Sequence, residues 1–173
     1  MSTDNLKSLI RDVPDFPKKG IVFKDITPLL HDPQGFRTAV DRLSGHYRGR
    51  DVSLVVAAEA RGFILGPPIA LNLGAGFVPV RKPGKLPYLR KGVTYQLEYG
   101  TDTLEIHEDA VRSNQKVLMV DDVLATGGTM AACCRLVESM GGVIVGCAFL
   151  VELTFLKGRK SLEGREVFSL IQY

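Results

Sequence analysis

From Val52 onward the chain sets short, unbroken apolar runs between segments of helical period. The runs are Val52 to Ala57, Phe77 to Val80, Val117 to Val120, Val143 to Val151 and Val167 to Ile171. A strand with one wet face alternates apolar and polar residues. Runs without alternation are strands covered on both faces, and helical stretches between them are the crossovers of a parallel sheet. The pattern predicts an α/β fold: an open, mainly parallel five-stranded sheet flanked by helices. Val93 to Tyr99 and Thr103 to His107 do alternate, with Gly100 to Asp102 between them, which predicts a projecting β-hairpin. Ahead of Val52, Leu6, Leu9, Ile10 and Val13 recur at helical spacing behind Asp4, a candidate N-cap, until Pro14 and Pro17 stop the pattern. Ile21, Val22 and Phe23 make a brief apolar run before a turn at Thr27 and Pro28. Asp32 and Pro33 then open a helix with Phe36, Val40, Leu43 and Tyr47 on one face.

The 173 residues, 45% of them hydrophobic, suffice for one domain with a full core and are few for two. No apolar stretch approaches the roughly 20 residues of a membrane helix, and Met1 to Lys7 is polar, so a soluble, unexported, cytoplasmic chain with no membrane partner is expected. Cys133, Cys134 and Cys147 give neither a disulfide framework nor a zinc spacing and fit a reducing compartment. His31, His46 and His107 share no spacing with another candidate ligand. Twenty-two Lys and Arg against 19 Asp and Glu leave +3, too mild a surplus to imply a nucleic-acid partner. The basic residues are unevenly placed, however. Arg81, Lys82, Lys85, Arg90 and Lys91 lie in a stretch without an acid between Arg61 and Glu98, and Pro83, Gly84 and Pro87 shape it as a loop that attracts a multiply charged anion.

The chemistry concentrates between Val117 and Met130. An apolar strand runs into Asp121 and Asp122, then a small-residue turn with Ala125, Thr126, Gly127, Gly128 and Thr129 follows. A helix follows with Met130, Cys133, Cys134, Val137 and Met140 inward. Strand, turn and helix aim backbone N–H groups and a helix dipole at an anion, and the glycines let backbone approach a phosphate. No Lys precedes Thr129 and there are not three spaced glycines, so neither a Walker loop nor a dinucleotide fingerprint is present. Paired carboxylates at a strand end can accept from vicinal sugar hydroxyls and hold Mg²⁺ through water. Phosphate, diol and metal together describe a ribose phosphate. The plainer alternative is two acids solvating a strand end beside an ordinary helix cap.

This segment resembles the phosphoribosyl pyrophosphate signature of type I phosphoribosyltransferases. The similarity runs from about Phe16 to Tyr173 and points to the adenine branch of that family. It passes through Gly20 to Pro28, Arg61-Gly62-Phe63, Arg81 to Pro87 and Leu97-Glu98-Tyr99-Gly100. The resemblance implies a single domain over 1–173, with an N-terminal hood segment at 1–35 and a flexible loop and hairpin at 82–107. It implies transfer of the phosphoribosyl group of phosphoribosyl pyrophosphate to adenine, giving AMP and pyrophosphate, with Mg²⁺, in a homodimer.

By resemblance, Ala125 to Thr129 bind the phosphoribosyl group with Asp121 and Asp122. Glu59, Ala60 and Arg61 form a pyrophosphate loop with a cis Glu59–Ala60 peptide. Arg81, Lys82 and Lys85 contact pyrophosphate, in part from the neighbouring subunit. Val22 and Lys24 hold adenine through backbone groups, Phe23 and Val123 sandwich it, and Glu98, catalytic and facing N7, sits with Tyr99 on a mobile hood. Hypoxanthine and guanine enzymes of the family usually carry an acid where this chain has Ala125. Regulators that resemble the family carry a DNA-binding segment, for which the residues ahead of Phe16 are too few. The basic loop and Glu98 speak against a mere sugar-phosphate binder.

Overall fold

The computed structural model describes residues 2–96 and 100–173. Its centre is a five-stranded sheet of β3 (Leu54–Ala58), β4 (Gly76–Val80), β7 (Lys116–Leu124), β8 (Val143–Glu152) and β9 (Val167–Gln172), in the order β4-β3-β7-β8-β9. All four pairings are parallel. Successive strand residues feed opposite cores. Val55, Ala57, Leu118 and Val120 pack under α3 (Pro33–Tyr47) and α4 (Gly62–Leu73). Leu54, Val56, Val117 and Met119 pack under α5 (Gly128–Ser139). Both faces are dry, which is why these strands are apolar without alternation. The sheet, its strand boundaries within a few residues and the helix behind Asp32 agree with the sequence pattern; the Asp32 carboxylate accepts the Gly35 N–H.

The N-terminal segment departs from its periodicity. The leading helix, α1, covers only Thr3–Lys7 and is capped by Ser2, not Asp4. Arg11–Pro14 is instead strand β1, paired antiparallel with β2 (Val22–Asp25). Leu6 and Ile10 are buried all the same, so the apolar positions were read correctly and the backbone between them was not. A non-local partner strand satisfies the backbone of Arg11–Pro14 better than a helix that Pro14 and Pro17 would truncate. Thr27–His31, expected as a turn, closes a single helical turn, α2.

The predicted hairpin is present as β5 (Arg90–Gln96) and β6 (Thr101–His107). Asp102, expected in its turn, lies within β6 opposite Tyr95. Leu104 and Ile106 bury the inner face of β6 in the core beneath α5. Two 3-10 turns, Thr154–Leu156 and Gly158–Leu162, join β8 to β9. Among the described residues no helix is long and apolar enough to cross a membrane.

Candidate active site

Because the central strands are parallel, the segments that leave β3, β4 and β7 emerge at one edge of the sheet, the usual ligand edge of an open α/β sheet. A cavity of about 350 Å³ opens there, within the range of small-molecule sites. It is lined by Asp121 to Leu124 at the end of β7, by the turn Ala125 to Gly127 and the start of α5, by Glu59, Ala60 and Arg61 after β3, and by Val22, Phe23 and Lys24 of β2. Three stretches far apart in sequence, each expected to touch ligand, are thus brought together. Phe149 and Leu153 also line it. Sequence reasoning missed them, since only the strand order shows that the end of β8 lies beside the end of β7.

The turn after β7 ends on Gly127, which has φ +81° and serves as the N-cap of α5. A Cβ there would meet the Gly158 carbonyl oxygen at 2.4 Å, and one on Gly158 would meet the Ala125 carbonyl oxygen at 2.2 Å. Ser161 Oγ donates to the Thr126 carbonyl at 2.8 Å. The second 3-10 turn therefore braces the turn that leads from β7 into α5.

Asp122 is 4% exposed. Its Oδ2 lies 2.9 Å from Arg61 Nε, yet this shielded oxygen receives no hydrogen bond: Arg61 supplies charge without an aligned donor. It keeps acceptor capacity for a ligand hydroxyl or a metal-bound water. Burial, and then the adjacent Asp122 charge, push Asp121 well above the ordinary 3.8. Burial raises Asp122 as well, opposed chiefly by Arg61. Groups with raised values contribute stability below the ordinary value near 3.8 and lose it as pH rises through the raised ones. The charged forms of the pair are therefore disfavoured by the fold. Gly62 lets the loop after β3 lie close to these acids, since a Cβ on it would be 3.0 Å from Asp121 Oδ1.

Glu59 and Ala60 are joined by a cis peptide. The Glu59 carboxylate accepts from Arg81 Nε, the Lys82 N–H and Lys85 Nζ, each at 2.9 Å. Burial alone would raise its pKa; these three donors outweigh that and hold it down to about 2. Lys82 Nζ pairs with Asp102. Arg81, Lys82 and Lys85 do not line the cavity of their own chain. The Arg61 guanidinium also lies 5.2 Å from the centroid of the Phe23 ring. Lys24 turns its ammonium away, to Asp12 at 2.6 Å and over the Tyr173 ring, so its backbone is what it offers the cavity. Glu98 and Tyr99 lie outside the described residues.

A parallel sheet with a glycine-bearing anion cradle and a carboxylate pair at one strand end defines a binder of phosphorylated sugars. The sequence model of the phosphoribosyl transferase domain matches residues 29–170. An adenine phosphoribosyltransferase of Solibacter usitatus is 60% identical over 169 residues, covering 98% of each chain. The crystal structure of adenine phosphoribosyltransferase from Thermoanaerobacter pseudethanolicus superposes with a TM-score of 0.97 at 55% identity, covering 99% of this chain and 100% of that one. The Saccharomyces cerevisiae enzyme, complexed with an imino-altritol bisphosphate and adenine, superposes with a TM-score of 0.91 at 41% identity and 97% of each chain. The chain belongs to the adenine phosphoribosyltransferases of the phosphoribosyltransferase family.

Proposed function

We propose that the protein transfers the 5-phosphoribosyl group of phosphoribosyl pyrophosphate to adenine, giving AMP and pyrophosphate in purine salvage. The observation that carries this reading is the joining of an anion cradle, Ala125 to Thr129, to a buried carboxylate with a free acceptor, Asp122 Oδ2, in one cavity. The 5-phosphate sits at the N-terminus of α5. Asp121 and Asp122 accept from the ribose hydroxyls and face the positive charge that grows on the sugar as pyrophosphate departs. Phe23 and Val123 enclose the base, and the backbone of Val22 and Lys24 reads its edge. Arg61, Arg81, Lys82 and Lys85 receive the leaving group, and Glu98 on the hood beside Tyr99 faces N7. Residues 1–35 form the hood segment, 82–107 the flexible loop and hairpin, and the whole chain one domain.

The site fits Mg²⁺ held through substrate oxygens and water. Asp121 and Asp122 supply two adjacent carboxylates toward the metal-bound water. Bound there, the ion neutralises charge on the pyrophosphate. The position of Arg81, Lys82 and Lys85 outside their own cavity supports a homodimer in which the loop serves a neighbouring site. Three buried free thiols, at Cys133, Cys134 and Cys147, support a cytoplasmic location.

The direct test is turnover with phosphoribosyl pyrophosphate, Mg²⁺ and each of adenine, hypoxanthine, guanine and orotate. Adenine is expected to be converted far better than the others, because Ala125 places no carboxylate against the base. Equal turnover of hypoxanthine would sink the assignment. The leaving-group role predicts that Lys85→Ala raises the KM for phosphoribosyl pyrophosphate several-fold more than that for adenine. Added salt is expected to narrow the gap to the parent, since a charge at an exposed loop is screened. A rise in the adenine KM alone contradicts the role.

A further inference from the structure

The hairpin of β5 and β6 carries a hydrogen-bonded chain between the phosphate cradle and the basic loop. Tyr95 is 6% exposed, beneath α5. Its hydroxyl lies 3.2 Å from Thr129 Oγ1 and 3.2 Å from Asp102 Oδ2. The same Asp102 oxygen takes Lys82 Nζ, and Asp102 Oδ1 accepts the Thr103 N–H at 2.8 Å. A carboxylate only accepts and an ammonium only donates. Tyr95 therefore gives its proton to Asp102, and its oxygen is left to receive the Thr129 O–H. Lys82, before any other group, holds Asp102 below the ordinary carboxylate range, so the acid stays charged. The Thr129 hydroxyl and the Lys82 ammonium, one at each end, are both engaged by internal acceptors.

An ion pair between a loop lysine and a strand aspartate at the protein surface would by itself be a minor detail. This one is different because a buried tyrosine shares the carboxylate and leads to the residue that closes the cradle. We propose that Asp102 is a specificity-determining competitor for the leaving-group site: it occupies Lys82 as an internal stand-in anion, and Tyr95 sets how firmly it does so. The proposal rests on the reading of Lys82 as a pyrophosphate contact. A tethered carboxylate is present at high effective concentration, so weak or singly charged anions leave Lys82 where it is. Pyrophosphate, free or on the substrate, carries enough charge to displace it.

The test is calorimetric titration of the full chain with pyrophosphate at constant Mg²⁺ and ionic strength. Asp102→Asn keeps the shape and one of the two acceptor oxygens but removes the competing charge, and it is expected to tighten pyrophosphate by about two- to fivefold. Tyr95→Phe keeps the buried ring and changes no charge. It removes a donor that shares the Asp102 carboxylate, so Asp102 grips Lys82 harder and pyrophosphate binding is expected to weaken by about two- to fivefold. A merely structural role would weaken both variants, and a general field effect would leave Tyr95→Phe unmoved. Asp102→Asn binding that is unchanged or weaker overturns the proposal. Lys82→Ala separates the two layers: unchanged pyrophosphate affinity there defeats the assignment of Lys82. Weaker affinity there, without tightening in Asp102→Asn, defeats the competitor alone.

Discussion

Asp122→Asn is expected to lower kcat by roughly ten- to a thousandfold, the range seen when one electrostatic stabiliser of a transition state is removed. The substitution keeps the volume and one acceptor, but it removes a charge that, in the proposed reaction, faces the developing sugar cation. The same change is expected to leave the midpoint of thermal unfolding at neutral pH level or higher. Asp121 and Asp122 are both raised by burial, Asp121 further by its neighbour, so the fold disfavours their charged forms and gains nothing from the charge that the change removes. Arg61, released by the change, has a side chain 42% exposed and can be solvated. Lost turnover with retained or raised stability is the mark of a site placed at a cost to the fold. A normal kcat in a folded variant would return the acids to the role of a solvated strand end.

The second large effect is expected at Gly127. Gly127→Ala combines a left-handed backbone, φ +81°, with a Cβ 2.4 Å from the Gly158 carbonyl oxygen and 2.9 Å from Ser161 Cβ. Neither obstacle is the end of a flexible side chain, so the 3-10 turn and the cradle would have to separate. A stability loss of about 2 to 4 kcal/mol is expected, with a rise in the KM for phosphoribosyl pyrophosphate of at least about tenfold, because the cradle N–H groups lose their aim. Gly164→Ala is the control. Gly164 has φ +80° with nothing within 4 Å of a built Cβ, so it carries the conformational cost alone, roughly 1 to 2 kcal/mol. Equal melting shifts and equal KM values for the two variants would show that the brace against Gly158 does nothing for the cradle.

The sequence by itself determined the parts of this protein whose cause is local. Unbroken apolar runs announced strands buried on both faces, and all five central strands lie in one parallel sheet. Asp32 before Pro33 announced a helix start because a cap acts within three residues. The stretch from Asp121 to Thr129 was legible as a strand end, turn and helix start because the three follow one another without interruption. Tertiary structure decided whatever depends on partners distant in the chain. The helical spacing from Leu6 to Val13 broke at β1 because pairing with β2, the next strand along, is a contact that no periodicity records. Phe149 and Leu153 entered the cavity through strand order. The basic residues showed a field in the sequence but not their counter-charges. That Arg61 faces Asp122, that Arg81 and Lys85 share Glu59, and that Lys82 is taken by Asp102 follows only from the folded geometry. Propensity and capping act over a few residues, whereas ion pairs, sheet order and close backbone approach are set by which distant segments the buried core brings together.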